Sequence, residues 1–95
     1  MGSRGSTFYS LYEGLGILGE SGRSATLHFL AERGLPEEEI PYRLSDFVAI
    51  IRQIFGTGAS VLESQLERQL MASKDPALFE WETATAYNAQ GAILR

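Results

Sequence analysis

Residues 13–24 read EGLGILGESGRS. Gly14, Gly16 and Gly19 in this stretch match the spacing G-x-G-x-x-G, the string that opens dinucleotide-binding folds. The fold turns on whether these glycines join a strand to a helix or a helix to a helix. In a nucleotide site a strand feeds the first glycine, and the free amides of the next helix face a pyrophosphate. The chain before Gly14 instead reads TFYSLYE, and Phe8, Leu11, Tyr12, Leu15 and Leu18 recur along one side of a helix. Leu15 and Leu18 fall inside the would-be fingerprint and belong to that seam. Glu37, Glu38 and Glu39 stand at about the distance of a ribose-binding carboxylate, but Pro36 and Pro41 bound them in a loop. The stretch therefore reads as the end of a helix capped at Thr7 and stopped at Gly19, with no cofactor. Gly14 and Gly16 each cost about 1 kcal/mol relative to Ala in a helix. Close approach of another backbone is the expected compensation.

Working outward, ESG with Gly22 reads as a connector into a second helix over residues 24–33. Leu27, Leu30 and Ala31 form its seam, and Gly34 is placed as its left-handed stop. LPEEEIPYRL is a loop or one short turn. Ser45 is placed to cap a third helix over residues 46–55. Phe47, Val48, Ile50, Ile51, Ile54 and Phe55 spread over roughly 160° of its circumference, so it should be the central helix, with Ile51 and Ile54 as core anchors. Arg52 and Gln53 fall on its back. Gly56 stops it, and Thr57 caps a fourth helix over residues 58–72, with Ala59, Leu62, Leu66 and Leu70 as a narrow seam. Asp75 before Pro76 is a strong start signal, predicting a fifth helix over residues 76–90 that ends at Gly91. ILGESGRSATLHFL and IFGTGASVLESQL share one pattern: apolar pair, Gly, polar, Gly, helix.

The predicted fold is thus all-α. It is a small orthogonal bundle of four core helices built from two helical hairpins, plus a C-terminal helix. Residues 1–6 read as a flexible leader or expression remnant, 7–73 as the helical core domain, and 74–95 as the C-terminal helix and tail. Structural turns are expected at Gly19, Gly22, Gly34, Gly56 and Gly58.

The totals narrow the function classes. Ninety-five residues suit one core and are too few for a full doubly wound nucleotide domain. There is no cysteine, which removes disulfides, thiol catalysis and cysteine metal sites. The net charge is −4 and the pI about 4.9, whereas phosphate binding needs clustered Lys and Arg. Lys74 is the one lysine, and the arginines are scattered. No apolar run approaches the ~20 residues of a membrane span, and the opening carries no signal-peptide pattern. The expected location is cytoplasmic.

Several local features bear on chemistry. FGTGAS at residues 55–60 lacks the Gly-Lys-Ser/Thr of a P-loop and reads as a tight turn. The third and fourth helices around GTG have the order of a helix–turn–helix. The reading helix would carry Glu63 and Glu67 against one Arg68, which repels phosphate. His28 beside Glu32 sits off the apolar seam and reads as a solvated surface pair with no second catalytic group. Glu37, Glu38 and Glu39 read as a solvated acidic loop and not as a cation site. No catalytic, cofactor or metal residues are assigned. The fifth helix differs: Leu78, Trp81 and Ala84 share one face, Phe79 and Ala86 the other, with Tyr87 between. A helix apolar on both sides must bury both. Leu78, Phe79, Trp81 and Tyr87 are therefore the candidate interaction residues, and self-association is the expected consequence. A chain cut after Ser73 is expected to lose it and stay helical.

LYEGLGILGESGRSATLHFLAERG followed by IPYRLSDFVAIIRQIFGTGASVLESQLERQL resembles the small archaeal Nitrosopumilus-type output domain family. The likeness rests on Leu11 and Tyr12, the LG-x-S-G turn at residues 18–22, Gly34, Ile40 with Pro41, and the IFG-x-G-A-x-x-L-E turn at residues 54–63. It spans about residues 11–70. The resemblance implies an all-helical module, alone or attached to signalling proteins, with no established activity and no catalytic residues to transfer. The expected function is a non-enzymatic protein-interaction or output module in intracellular signalling, forming a homo-oligomer, as a dimer, or binding a protein partner. The alternative is a helix–turn–helix regulator of nucleic acid. Third comes an enzyme or small-ligand binder using the glycine turns.

Overall fold

The computed structural model describes the backbone of residues 3–94 and the side chains of residues 5–86. Its α-helices are α1 (Ser3–Gly14), α2 (Gly19–Glu32), α3 (Leu44–Phe55), α4 (Ala59–Ala72) and α5 (Leu78–Leu94). Short 3₁₀ turns link them at Leu15–Leu18, Glu37–Tyr42 and Gly56–Gly58. No strand occurs among the described residues. The fold is an all-α helical bundle.

The widest apolar arc of the sequence lies at its centre. Leu44, Phe47, Val48 and Ile51 of α3 are buried, while Ile50, Ile54 and Phe55 are half-buried. Ile51 is therefore an anchor and Ile54 is not, because Ile54 lies at the margin of the arc. Leu11 and Leu15, Leu27 and Leu30, Leu62, Leu66 and Leu70, and Trp81 complete one continuous core. The most extensive helix contacts are those of α1 with α4 and of α5 with α3.

Gly14 is the point of closest approach between α1 and α4. A Cβ there would stand 2.7 Å from Leu66 Cδ2 and 3.1 Å from the Leu66 Cα. The side chain can turn away, but the backbone of a packed helix cannot. Gly14→Val is expected to destabilise the chain by about 1–3 kcal/mol, the usual range for overpacking. Gly5→Ala is the control, since nothing lies within 4 Å of a Cβ there. Urea unfolding of both variants checks this: equal stabilities would mean that α1 and α4 do not meet at Gly14.

The ends of α2 and α4 close in the same way. Leu35 N–H donates to Leu30 O at 2.9 Å and Gly34 N–H to Ala31 O at 3.0 Å, with Gly34 at φ +90°. This is a Schellman stop with Leu30 and Leu35 both buried beside it. At α4 the matching bonds run from Asp75 N–H to Leu70 O and from Lys74 N–H to Met71 O. There the left-handed position, φ 52°, is held by Lys74. Gly19 and Gly56 also have positive φ.

The boundaries differ from expectation at several places. α1 begins at Ser3, inside the stretch read as leader, and Thr7 lies within it, buried, so Thr7 is not its cap. α1 stops at Gly14, and Gly19 opens α2 instead of closing α1. Gly22 is not a turn residue: it lies in the first half of α2, where a Cβ would stand 2.8 Å from Leu18 Cβ. The 3₁₀ turn folds Leu18 onto the start of the helix and leaves no room for a side chain. Gly58 sits in a 3₁₀ turn at φ −71° with no left-handed requirement. Neither Ser45 nor Thr57 stands at a cap position: α3 begins at Leu44 after Arg43, and α4 at Ala59 after Gly58. α5 continues through Gly91 to Leu94, since one glycine costs a helix only about 1 kcal/mol.

Candidate interaction surfaces

α5 is fixed to the bundle at its base. The Thr7 hydroxyl donates to Asp75 Oδ1 at 2.8 Å, and the Ala77 N–H donates to the same oxygen at 2.9 Å. Asp75 thus caps the turn leading into α5, as its place before Pro76 predicts, and also holds α1. It is 5% exposed, and among the described residues neither its Oδ2 nor Trp81 Nε1 has a hydrogen-bond partner. Ser10 and Ser73 hydroxyls meet beside this link at 3.0 Å.

Beyond its base α5 presents two different faces. Ala77, Trp81 and Ala84 are buried, with the Trp81 ring centroid 6.3 Å from that of Phe47. Leu78 is half-buried against the core. Phe79 is 77% exposed, and Glu82, Thr83 and Ala86 beside it are exposed too. Of the four candidate interaction residues, Trp81 is consumed by the chain's own core, Leu78 sits at the margin and Phe79 faces outward. The Tyr87 side chain lies outside the described residues.

The other sequence candidates separate cleanly. Gly16 abuts Arg23, whose Nη1 would lie 3.2 Å from an added Cβ. Arg23 donates to the Tyr12 carbonyl at 3.2 Å and lies 3.9 Å from the centroid of the Tyr12 ring. It thereby closes the carbonyl end of α1; Gly14 and Gly16 have packing reasons of their own, and Gly19 a positive φ. His28 and Glu32 meet at 3.0 Å on the exposed side of α2. Glu39 is engaged by Arg43, while Glu37 and Glu38 are exposed. Among the described residues, no group of three or more His, Cys, Asp or Glu is placed to hold a metal ion.

Arg33, Arg43 and Arg52, like Arg23, bond to groups within the chain. Arg52 binds Glu63 through two bonds of 2.7 and 2.9 Å and reaches the Thr85 carbonyl at 3.4 Å. Its pKa is raised, chiefly by the hydrogen bonds to Glu63. It ties α3 to α4 and α5. Arg43 holds Glu39, Asp46 and the Gly34 carbonyl together, and Arg33 donates to Gln53. Glu63 is therefore a bridge residue between helices and not a free charge on a reading helix.

Sequence reasoning missed the Thr7–Asp75 and Arg52–Glu63 links. Sixty-eight residues separate the first pair, and nothing in the pattern around Thr7 distinguishes a buried hydroxyl from a cap. Comparison with family models, with curated proteins and with solved structures finds no match to this chain. Among the described residues, no helix is long and apolar enough to cross a membrane.

Proposed function

We propose that this chain is a protein-interaction or output module of cytoplasmic signalling, with no catalysis of its own, that pairs with a second copy through the outer face of α5. The observation that carries the reading is Phe79, 77% exposed on the helix whose inner face buries Trp81 completely. An aromatic ring standing in water next to a fixed core helix is the type of residue that interfaces desolvate. A twofold arrangement would set the same face of both copies against each other. The likeness to the output-domain family points the same way.

Phe79→Glu tests the proposal. The side chain is solvated in one chain, so the variant should fold with unchanged helicity. At a desolvated contact between copies the added carboxylate is unpaired and costly, so association should weaken by about tenfold or more. Sedimentation of both proteins over a concentration series reads this. Identical association of the variant and the parent would sink the proposal.

A further inference from the structure

α5 has the sequence LFEWETATAYNAQGAIL. Its charged residues are Glu80 and Glu82, and it holds no lysine or arginine along its whole length. Glu82 is exposed three residues after Phe79, which places it about 60° from Phe79 around the helix and one turn further on. Its carboxylate makes no hydrogen bond or ion pair among the described residues; only its backbone carbonyl is engaged, by the Thr85 hydroxyl. Thr83, the hydroxyl beside it on this face, donates back to the Phe79 carbonyl at 3.0 Å. The outer face thus sets an exposed aromatic ring next to one carboxylate, with no cation from its own helix.

We infer that Glu82 opposes the pairing of two copies, so that the pair is weak at low ionic strength and tightens as salt rises. The inference rests on the α5 pairing proposed above. In a twofold contact, whatever stands beside Phe79 in one copy enters the contact in both. Each Glu82 then gives up water and meets a helix that has no positive charge to offer in return. A carboxylate desolvated without a partner is costly, and like charges set close together repel. The net charge of −4 on each copy adds a repulsion of longer range, and net charge of one sign keeps chains apart. Dissolved ions screen both effects. They leave the contact of the Phe79 ring intact. Lys74, exposed on the turn before α5, is the nearest cation in the sequence. A Lys74–Glu82 pair across the contact would reverse the sign of the salt effect, so the sign decides between the two arrangements.

The test is sedimentation of the full chain, of Glu82→Gln, of Phe79→Glu and of Glu20→Gln. The last removes the same charge from a side chain of α2 that is 90% exposed and controls for net charge alone. Each is measured from about 10 to about 150 mM NaCl, over which the screening length falls from about 30 to about 8 Å. The parent should associate about fivefold more tightly at the higher salt, and Glu82→Gln should match that gain already at the lower salt, as expected for relief of exposed like charges. Glu20→Gln should follow the parent. Glu82 is exposed, so circular dichroism of Glu82→Gln should be unchanged. Equal association of Glu82→Gln and the parent at low salt overturns the inference and leaves the pairing standing. So does a pair that salt weakens. If Phe79→Glu associates as the parent does, or if no variant associates at any salt, the pairing through α5 falls and this inference falls with it.

Discussion

Trp81→Ala is expected to destabilise the chain by about 3–5 kcal/mol, the range for truncating a large buried aromatic. Trp81 has no exposed surface and packs against Phe47 of the central helix. Its removal opens a cavity on the seam where α5 meets α3, and neither helix can close it without losing Ala77 and Ala84 from the core. Domains of this size have only about 5–15 kcal/mol of stability in all, so the variant should be near the edge of folding. Chemical denaturation measures the loss. A loss under about 1 kcal/mol would mean that α5 is an appendage. The same packing corrects the expectation for a chain cut after Ser73. Such a chain lacks Asp75, Ala77, Trp81 and Ala84, all buried, and should unfold instead of remaining a helical monomer. The C-terminal segment is part of the core and cannot be removed to test its outer face, which is why point substitution at Phe79 is the proper probe.

Ile51→Ala should cost about 2–5 kcal/mol. Ile51 is fully buried in the helix that α4 and α5 both pack against. Ile54, three residues on, is only half-buried, so Ile54→Ala should cost less than half as much. Thermal unfolding of the two variants side by side reads the difference. Equal losses would place the core axis of α3 elsewhere on its circumference.

The helices were legible because apolar spacing in α1, α3 and α4 is regular, and the seam residues Leu11, Leu15, Leu62, Leu66 and Leu70 are all buried. Their ends were less so. Thr7, Ser45 and Thr57 have the chemistry of caps, but a cap depends on backbone geometry that tertiary contacts set. Thr7 went to Asp75 instead. The glycines divide similarly. Gly34 followed from its place after the Leu30 seam, whereas the partner that crowds Gly14 lies across the bundle and leaves no local trace. The phase of Arg52 places it off the apolar arc of α3, but its partner Glu63 depends on how α4 lies beside α3. The two faces of α5 were legible, since Phe79 and Trp81 stand about 200° apart at 100° per residue.

The central claim is that the outer face of α5 joins two copies. The mass of the unmodified chain in solution, by light scattering at high micromolar concentration, tests it most directly. One chain weighs 10.5 kDa, and the expected result is twice that mass, falling toward the single value on dilution. A constant 10.5 kDa across the series would contradict it and leave Phe79 a solvated side chain on a monomer.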